Sequence, residues 1–371
     1  MENNFKIGFA EALFIPLTII LSNLILILPK IILQSQGSSS IINIIYVTIL
    51  ALIYITLISK LYKNFKSMDI LDISKYLFGN VFKFIIGLIY ILHIVFLSSL
   101  LLRNTAENLR TMYAQSIPTP YIMFFILVAV SFITRKKLKG IIKSNLIVAS
   151  IIIFFLIILF FLSTKSFVFE RIFPIMGYGV KNIFVDGAVN ISCFGNLIIL
   201  FFLMPFLKNT NKFKKLSITC VIISGIILIL VITPLLLMFP TSITSGSNIP
   251  VYLQTRSITI GNLIQRVDAF FVLMWIFCVL SYLSISIGFT TYIFNKICKI
   301  ENSSKISYTF LGILFAISLI YTNIIQIRKL DIQGYKIFSL LIPFMLSFVL
   351  LLFANIKKII KNRKEVVTSE W

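Results

Sequence analysis

The residues able to do chemistry in this chain are few, and they lie inside long apolar stretches. Two short clusters of small and polar types stand out: Leu21-Ser22-Asn23-Leu24, between Pro16 and Pro29, and Asn190-Ile191-Ser192-Cys193-Phe194-Gly195-Asn196. A helix interrupted at such a place presents partial positive charge at the exposed N-terminus and partial negative charge at the exposed C-terminus. A zwitterion such as an amino acid suits that pair of charges. The competing reading is that Ser, Asn and Gly simply let helices pack closely, as small residues do in membranes. The first reading makes Ser22, Asn23, Leu24, Ser192, Phe194 and Gly195 candidate solute contacts.

Ionisable and aromatic groups inside the apolar runs add to the set, because charge is costly there and asks for a reason. Glu11 lies near one end of its run, either as a proton- or ion-linked carboxylate or as an interfacial partner that reaches water. His93 falls in the middle of a run, as helix-to-helix glue or as a solute contact. Arg103, Glu107 and Arg110 follow i, i+4 and i+7 spacing and share one helix face. That spacing serves a structural salt-bridge clamp or an outer-gate charge pair. Trp275 sits deeper in its run than an interfacial anchor would, and is a candidate pocket-lining residue.

These groups need elements to position them. The chain has 371 residues, of which 59% are hydrophobic and 12% charged. The charged share is about half that of an ordinary soluble domain, and the charges punctuate uncharged runs long enough to cross a bilayer, for which roughly 20 apolar residues suffice. Ten spans follow, at residues 8–29, 39–60, 82–105, 118–134, 144–164, 184–207, 216–239, 266–295, 306–326 and 337–356. With the N-terminus inside, 23 of the 34 Lys and Arg residues fall in cytoplasmic segments, loop after loop. The positive-inside rule then places both termini in the cytoplasm. Residues 69–79 read as a mildly amphipathic interfacial stretch. Two longer connections, 165–183 and 240–265, face outward as a lid, a docking loop or plain connectors.

Ten spans divide into two halves of five, residues 1–165 and 166–356, followed by a basic cytoplasmic tail at 357–371. Five is odd, so the halves enter the membrane from opposite sides, as in the inverted repeats of secondary transporters. The two polar clusters occupy corresponding places, the first span of each half. The expected fold is therefore an all-α integral membrane protein, with ten transmembrane helices in a 5+5 inverted repeat and broken first and sixth helices.

Other classes fit poorly. A net charge of +22 in a soluble chain would point to nucleic acid, but no aromatic-interleaved basic face exists here, and the loops' role in orientation at an anionic lipid surface accounts for the lysines. Cys193, Cys220, Cys278 and Cys298 form no CxxC or Cys/His cluster, so neither a disulfide framework nor a metal or other cofactor is expected. No Gly-rich phosphate loop or nucleophile–His constellation marks an enzyme. The first apolar run holds Glu11 and Pro16 and lacks a small-x-small cleavage site, so it reads as a span rather than a leader.

Several segments together resemble one family. They are Asp72-Ile-Ser-Lys-Tyr-Leu-Phe-Gly79, Thr119-Pro120, Arg171-Ile-Phe-Pro-Ile-Met-Gly-Tyr-Gly179, and Ile260-Gly-Asn-Leu-Ile-Gln-Arg-Val-Asp268 running on to Trp275. In order and spacing the chain resembles the permease-like B subunit of spore germinant receptors, within the amino acid–polyamine–organocation superfamily. It departs where the first-span break usually carries glycine and Ser22-Asn23 stand here, and where an acidic-Arg-x-acidic run reads Gln265-Arg266-Val267-Asp268. The resemblance implies an amino-acid-permease-like fold, partner A and C subunits, and recognition of a nutrient such as an amino acid at the spore inner membrane, which triggers germination. The alternative is a secondary transporter moving amino acids with H+ or Na+.

Overall fold

The computed structural model describes residues 5–26, 28–247, 249–258, 267–300, 305–321 and 330–369. Among them the regular structure is helical, apart from one parallel bridge between Ile7 and Leu207. The helices are α1 (Phe9–Leu26), α2 (Leu28–Gln36), α3 (Ser40–Tyr62), α4 (Ile70–Met112), α5 (Thr119–Thr134), α6 (Lys137–Ser163), α7 (Val180–Phe184) and α8 (Leu200–Leu203). They continue with α9 (Phe213–Met238), α10 (Thr241–Gly246), α11 (Pro250–Ser257), α12 (Val267–Cys298), α13 (Lys305–Ile320), α14 (Tyr335–Leu340) and α15 (Ser347–Ser369).

Seven helical stretches among the described residues are at least 18 residues long and apolar enough to cross a membrane. Three shorter apolar helices, Phe9–Ile25, Thr119–Thr134 and Lys305–Ile320, fall where spans one, four and nine are expected. The outer faces agree with a lipid solvent. On α3, Ile45, Ile49, Ile53 and Leu57 recur every fourth residue and are each about half exposed, while Ile44, Val47, Ala51, Ile55 and Ile58 are buried on the other side. A contiguous apolar stripe of that kind calls for a non-aqueous neighbour. The chain is an integral membrane protein.

Boundaries depart from expectation in instructive ways. The interfacial stretch is the first part of α4: it ends in a kink at Phe78 and Gly79, where Gly79 takes φ +82, a left-handed conformation that favours glycine. Helix α15 runs on from the last span to Ser369. In α5 the Pro118-Thr119-Pro120 turn does what its sequence foretells, placing Pro120 within the first helical turn where its missing N–H costs nothing. The expected motif over residues 260–268 lies outside the described residues up to Arg266.

The first and sixth spans were expected to break at their polar clusters, and neither does so in that form. Helix α1 runs uninterrupted through Leu21-Ser22-Asn23-Leu24. The reason is local: Ser22 Oγ donates to Thr18 O at 3.0 Å and Asn23 Nδ2 to Ile19 O at 2.9 Å, so both side chains are satisfied one turn back. The sixth span changes helix type instead of stopping, with Asp186–Ile199 wound as a 3-10 helix of 14 residues. Runs longer than three or four residues are uncommon for that geometry, which makes poorer hydrogen bonds. The last span is irregular as well: a π-helical turn at Leu330–Gly334 leads into it and another lies within it at Leu341–Leu346.

Irregular backbone within the bilayer needs partners from inside the protein. One half-buried and one buried tyrosine supply some of them. Tyr54 OH donates to Pro343 O and Phe344 O, both at 3.0 Å, and Tyr62 OH donates to Phe201 O at 3.1 Å.

Candidate functional site

The eight candidate solute contacts are all buried, with Asn23 the most exposed of the seven side chains at 4%. They reside on four elements. Ser22, Asn23 and Leu24 belong to α1, His93 to α4, Trp275 to α12, and Ser192, Phe194 and Gly195 to the 3-10 segment. Helix α1 packs against both the 3-10 segment and α12, and α12 packs against α4. Ser22 Oγ reaches Cys278 on α12, 3.2 Å from both its carbonyl oxygen and its thiol. One turn further out, Trp275 stacks on Phe271 with ring centroids 6.5 Å apart.

Gly195 is where backbones meet. A Cβ added there would lie 2.5 Å from Ser339 Cβ and 2.9 Å from Ser339 O, so only glycine lets α14 approach this closely. Gly187, at the other end of the 3-10 segment, meets a buried amide cluster. Asn43 Nδ2 donates to Ile183 O at 2.9 Å and Gly187 O at 3.2 Å, while Asn190 Nδ2 donates to Asn43 Oδ1 at 2.8 Å. The segment is therefore anchored to α3 at one end and pressed on α14 at the other.

Several buried polar atoms have no hydrogen-bond partner among the described residues. They include His93 Nδ1, Ser192 Oγ and Trp275 Nε1 among the expected residues, joined by Ser98 Oγ and Ser339 Oγ. Buried polar groups are ordinarily paired, so unpaired ones ask for an explanation. Ser339 and Ser98 were not expected from the sequence. Their signal, a lone small hydroxyl in an aliphatic helix, is shared by many serines here.

The three charged candidates fall in two places. Gly8 N donates to Glu11 Oε2 at 2.7 Å, so that carboxylate caps the start of α1. Arg103 Nη2 and Glu107 Oε1 form a buried pair at 2.7 Å within α4. Thr119 Oγ1 donates to the same carboxylate at 3.0 Å, and Arg110 Nη1 lies 3.6 Å from its other oxygen. The cluster thus ties α4 to the start of α5, and it is not brought together with the solute candidates.

At the basic end of the bundle is an ionic lock that sequence reasoning missed. Asp69 caps α4 by accepting from Leu71 N and Asp72 N, and its other oxygen accepts from Tyr292 OH and Lys296 Nζ, both at 2.7 Å. Lys296 also reaches Asp72 Oδ2 at 2.6 Å. Burial pushes the Asp69 carboxyl above its ordinary range, and Lys296 beside it works in the other direction. Beside it, Ile7 N donates to Phe206 O at 2.8 Å, and Phe206 stands edge-on to Tyr292 with centroids 5.0 Å apart. The available signal was the Asp69-x-x-Asp72 capping pattern together with Tyr292 and Lys296 at i, i+4.

Comparison with known proteins gives a consistent picture. The family model described as "Spore germination protein" matches residues 6–327. Spore germination protein KB of Bacillus subtilis (strain 168) is 23% identical over 286 residues, covering 74% of this chain and 75% of that relative. Among solved structures, a Na+-coupled sialic acid symporter in a substrate-bound outward-open state is similar with a TM-score of 0.62. It is 12% identical, with 93% of this chain and 78% of the symporter covered, a likeness of fold.

Proposed function

The chain belongs to the spore germination protein family, and we propose that it is the permease-like B subunit of a spore germinant receptor that recognises a small nutrient such as an amino acid. Recognition takes place where α1, α4, α12, α14 and the 3-10 segment meet. Ser192, Gly195, His93 and Trp275 supply the polar and shape-giving contacts, and Ser22, Asn23 and Leu24 form the α1 wall. The observation that carries this reading is the set of unpartnered buried groups, His93 Nδ1, Ser192 Oγ, Trp275 Nε1 and Ser339 Oγ, on elements around the non-α segment. Together they offer donors and acceptors to a small polar solute in a site otherwise lined by apolar side chains, the usual make-up of such pockets.

The pattern of helix packing supports a 5+5 inverted repeat. The 3-10 segment is taken as the sixth span, α9, α12 and α13 as the seventh to ninth, and α14 with α15 as the tenth. Four of the five spans of the first half then touch their counterparts five places on: α1 the 3-10 segment, α3 α9, α4 α12, and α5 α13. The cross pairs exchange too. Contact of α1 with α6 is matched by the 3-10 segment with α14, that of α6 with α12 by α15 with α4, and that of α5 with α12 by α13 with α4. A pseudo-two-fold relation between halves is the plan of many transporters. The distribution of basic residues supports cytoplasmic termini, and membership of the spore germination family supports a location at the spore inner membrane with A and C subunits as partners.

A bound nutrient shifts a conformational equilibrium only through unequal affinity for two states. The lock of Asp69, Asp72, Tyr292 and Lys296 closes the basic end in the state seen here, and its opening is the change such a nutrient would bias. The symporter likeness favours a second reading, coupled transport of an amino acid with H+ or Na+. Purified protein reconstituted in liposomes separates the two. A recognition subunit binds a labelled amino acid saturably without accumulating it, whereas accumulation against a gradient establishes transport. Failure to bind any of the common amino acids, with normal melting behaviour, would remove the proposed site.

A further inference from the structure

Away from the solute site, at the basic end, the α3–α4 turn and α15 enclose an open cleft of about 300 Å³. That is the lower end of the size range of ligand clefts, roughly 300–1,000 Å³. Its lining includes Lys66, Lys358 and Lys361, with Asn64, Phe65 and Tyr76. The cationic wall is framed by bonds to backbone. Lys358 Nζ donates to Asn64 O at 2.7 Å and lies 5.4 Å over the Phe65 ring. The neighbouring Lys357 donates to Tyr76 O at 2.8 Å and also to Leu77 O, 5.2 Å over the Tyr76 ring. An ammonium has three donors, so a lysine bonded once to a carbonyl keeps capacity for an anion.

The surroundings identify the anion's source. Phe353, Ile356 and Ile360 on α15 are 52%, 44% and 52% exposed, and Phe78, beside the α4 kink, is 68% exposed. Their spacing on α15, i, i+3 and i+7, makes one apolar stripe alongside Lys357, Lys358 and Lys361. The helix thus passes from a surface fit for acyl chains to one fit for negative charge. A free phosphate ion would use the lysines and leave the stripe without purpose; a phospholipid uses both. Basic pockets between membrane helices bind anionic headgroups on these grounds. We propose that this cleft is a binding site for the phosphate headgroup of an anionic phospholipid, whose acyl chains lie along Phe353, Ile356 and Ile360.

The site has a structural consequence. The turn that forms one wall ends at Asp69, the residue that holds Tyr292 and Lys296. A headgroup seated between this turn and α15 fixes the turn and so supports the ionic lock.

The test uses the full-length protein in detergent, delipidated and titrated with phosphatidylglycerol or phosphatidylcholine, with bound lipid counted by native mass spectrometry. The variant K66Q/K361Q removes two cleft charges and leaves the Lys358–Asn64 bond in place. K212Q/K215Q removes the same charge from exposed residues at the same end. Wild type is expected to retain phosphatidylglycerol over phosphatidylcholine. The cleft variant should bind phosphatidylglycerol about fivefold more weakly for each lysine lost, with the control variant within twofold of wild type and phosphatidylcholine unaffected. Equal losses in the two variants would reduce the effect to general attraction by net charge and overturn the site. Displacement of phosphatidylglycerol from wild type by millimolar inorganic phosphate would make the ligand a free anion and overturn the lipid assignment.

Discussion

Helix α1 and the 3-10 segment are counterparts in the proposed repeat and carry similar side chains, yet they solve the same problem differently. In α1 the polar groups bond back onto their own helix: Ser22 donates to Thr18 O and Asn23 to Ile19 O, with Ser22 also touching Cys278 on α12. The α ladder runs on through them. In the 3-10 segment the polar groups reach outward or are left over. Asn190 donates to Asn43 and Ser35 on neighbouring elements, and Ser192 Oγ has no partner. Glycine is the other difference, since Gly187 and Gly195 admit Asn43 and Ser339 to distances that any Cβ would prevent. Polar side chains do not by themselves unwind a membrane helix. Close approach of neighbouring elements at glycine, with side chains recruited to them, accompanies the change of winding.

If that contrast is right, the largest effect belongs to Gly195. In Gly195→Leu the new side chain starts 2.5 Å from Ser339 Cβ and 2.9 Å from its carbonyl oxygen, which is backbone. Overpacking of this kind costs about 1–3 kcal/mol, and here it also separates α14 from the segment. Both the midpoint of thermal unfolding in detergent and germinant response should fall. Gly195→Ala meets the same first contact and should fall in the same direction by less. Unchanged melting in both variants would show that α14 yields easily and that the glycine carries no constraint.

Next in size is Ser192→Ala, which separates recognition from folding. Its hydroxyl makes no bond among the described residues, so removing it should leave the melting midpoint within error. If the hydroxyl bonds the solute, affinity falls by about 0.5–1.5 kcal/mol, or about two- to tenfold. Titration calorimetry with the responsive amino acid measures this directly. A loss of stability with unchanged affinity would reassign Ser192 to packing.

The same contrast explains which features were legible in advance. Apolar runs, the Pro118–Pro120 turn and the i, i+4 pair of Arg103 and Glu107 depend on local sequence, and the structure places them where the residues point. The helical class and the location of each long apolar element follow from the same signal. The state of α1 did not, because Ser22 and Asn23 can either unwind a helix or bond back into it, and the choice depends on neighbours. Ser339 was hidden for the same reason: its significance lies in its approach to Gly195, 144 positions earlier in the chain. The lock of Asp69 with Lys296 spans 227 positions and joins residues that separately read as a cap and an orienting charge. Composition sets the solvent of each helix, whereas a site is made of meetings between helices.

The smallest effect tests the α1 side. Ser22 Oγ is fully used, donating to Thr18 O at 3.0 Å and lying 3.2 Å from Cys278 O. Ser22→Ala removes one bond within α1 and one between α1 and α12, and leaves those carbonyls to their backbone donors. Interhelical hydrogen bonds inside membranes average about 0.6 kcal/mol, so a small loss of stability is expected. Affinity for the solute should stay within about twofold, since the hydroxyl is engaged by protein and not left open as in Ser192. Measured side by side, the two serines should show opposite signatures: stability without affinity at Ser22, and affinity without stability at Ser192. A Ser22→Ala protein with wild-type melting and strongly weakened binding would mean that α1 opens when the solute enters. The two helices would then be alike in the bound state and different only in the closed one.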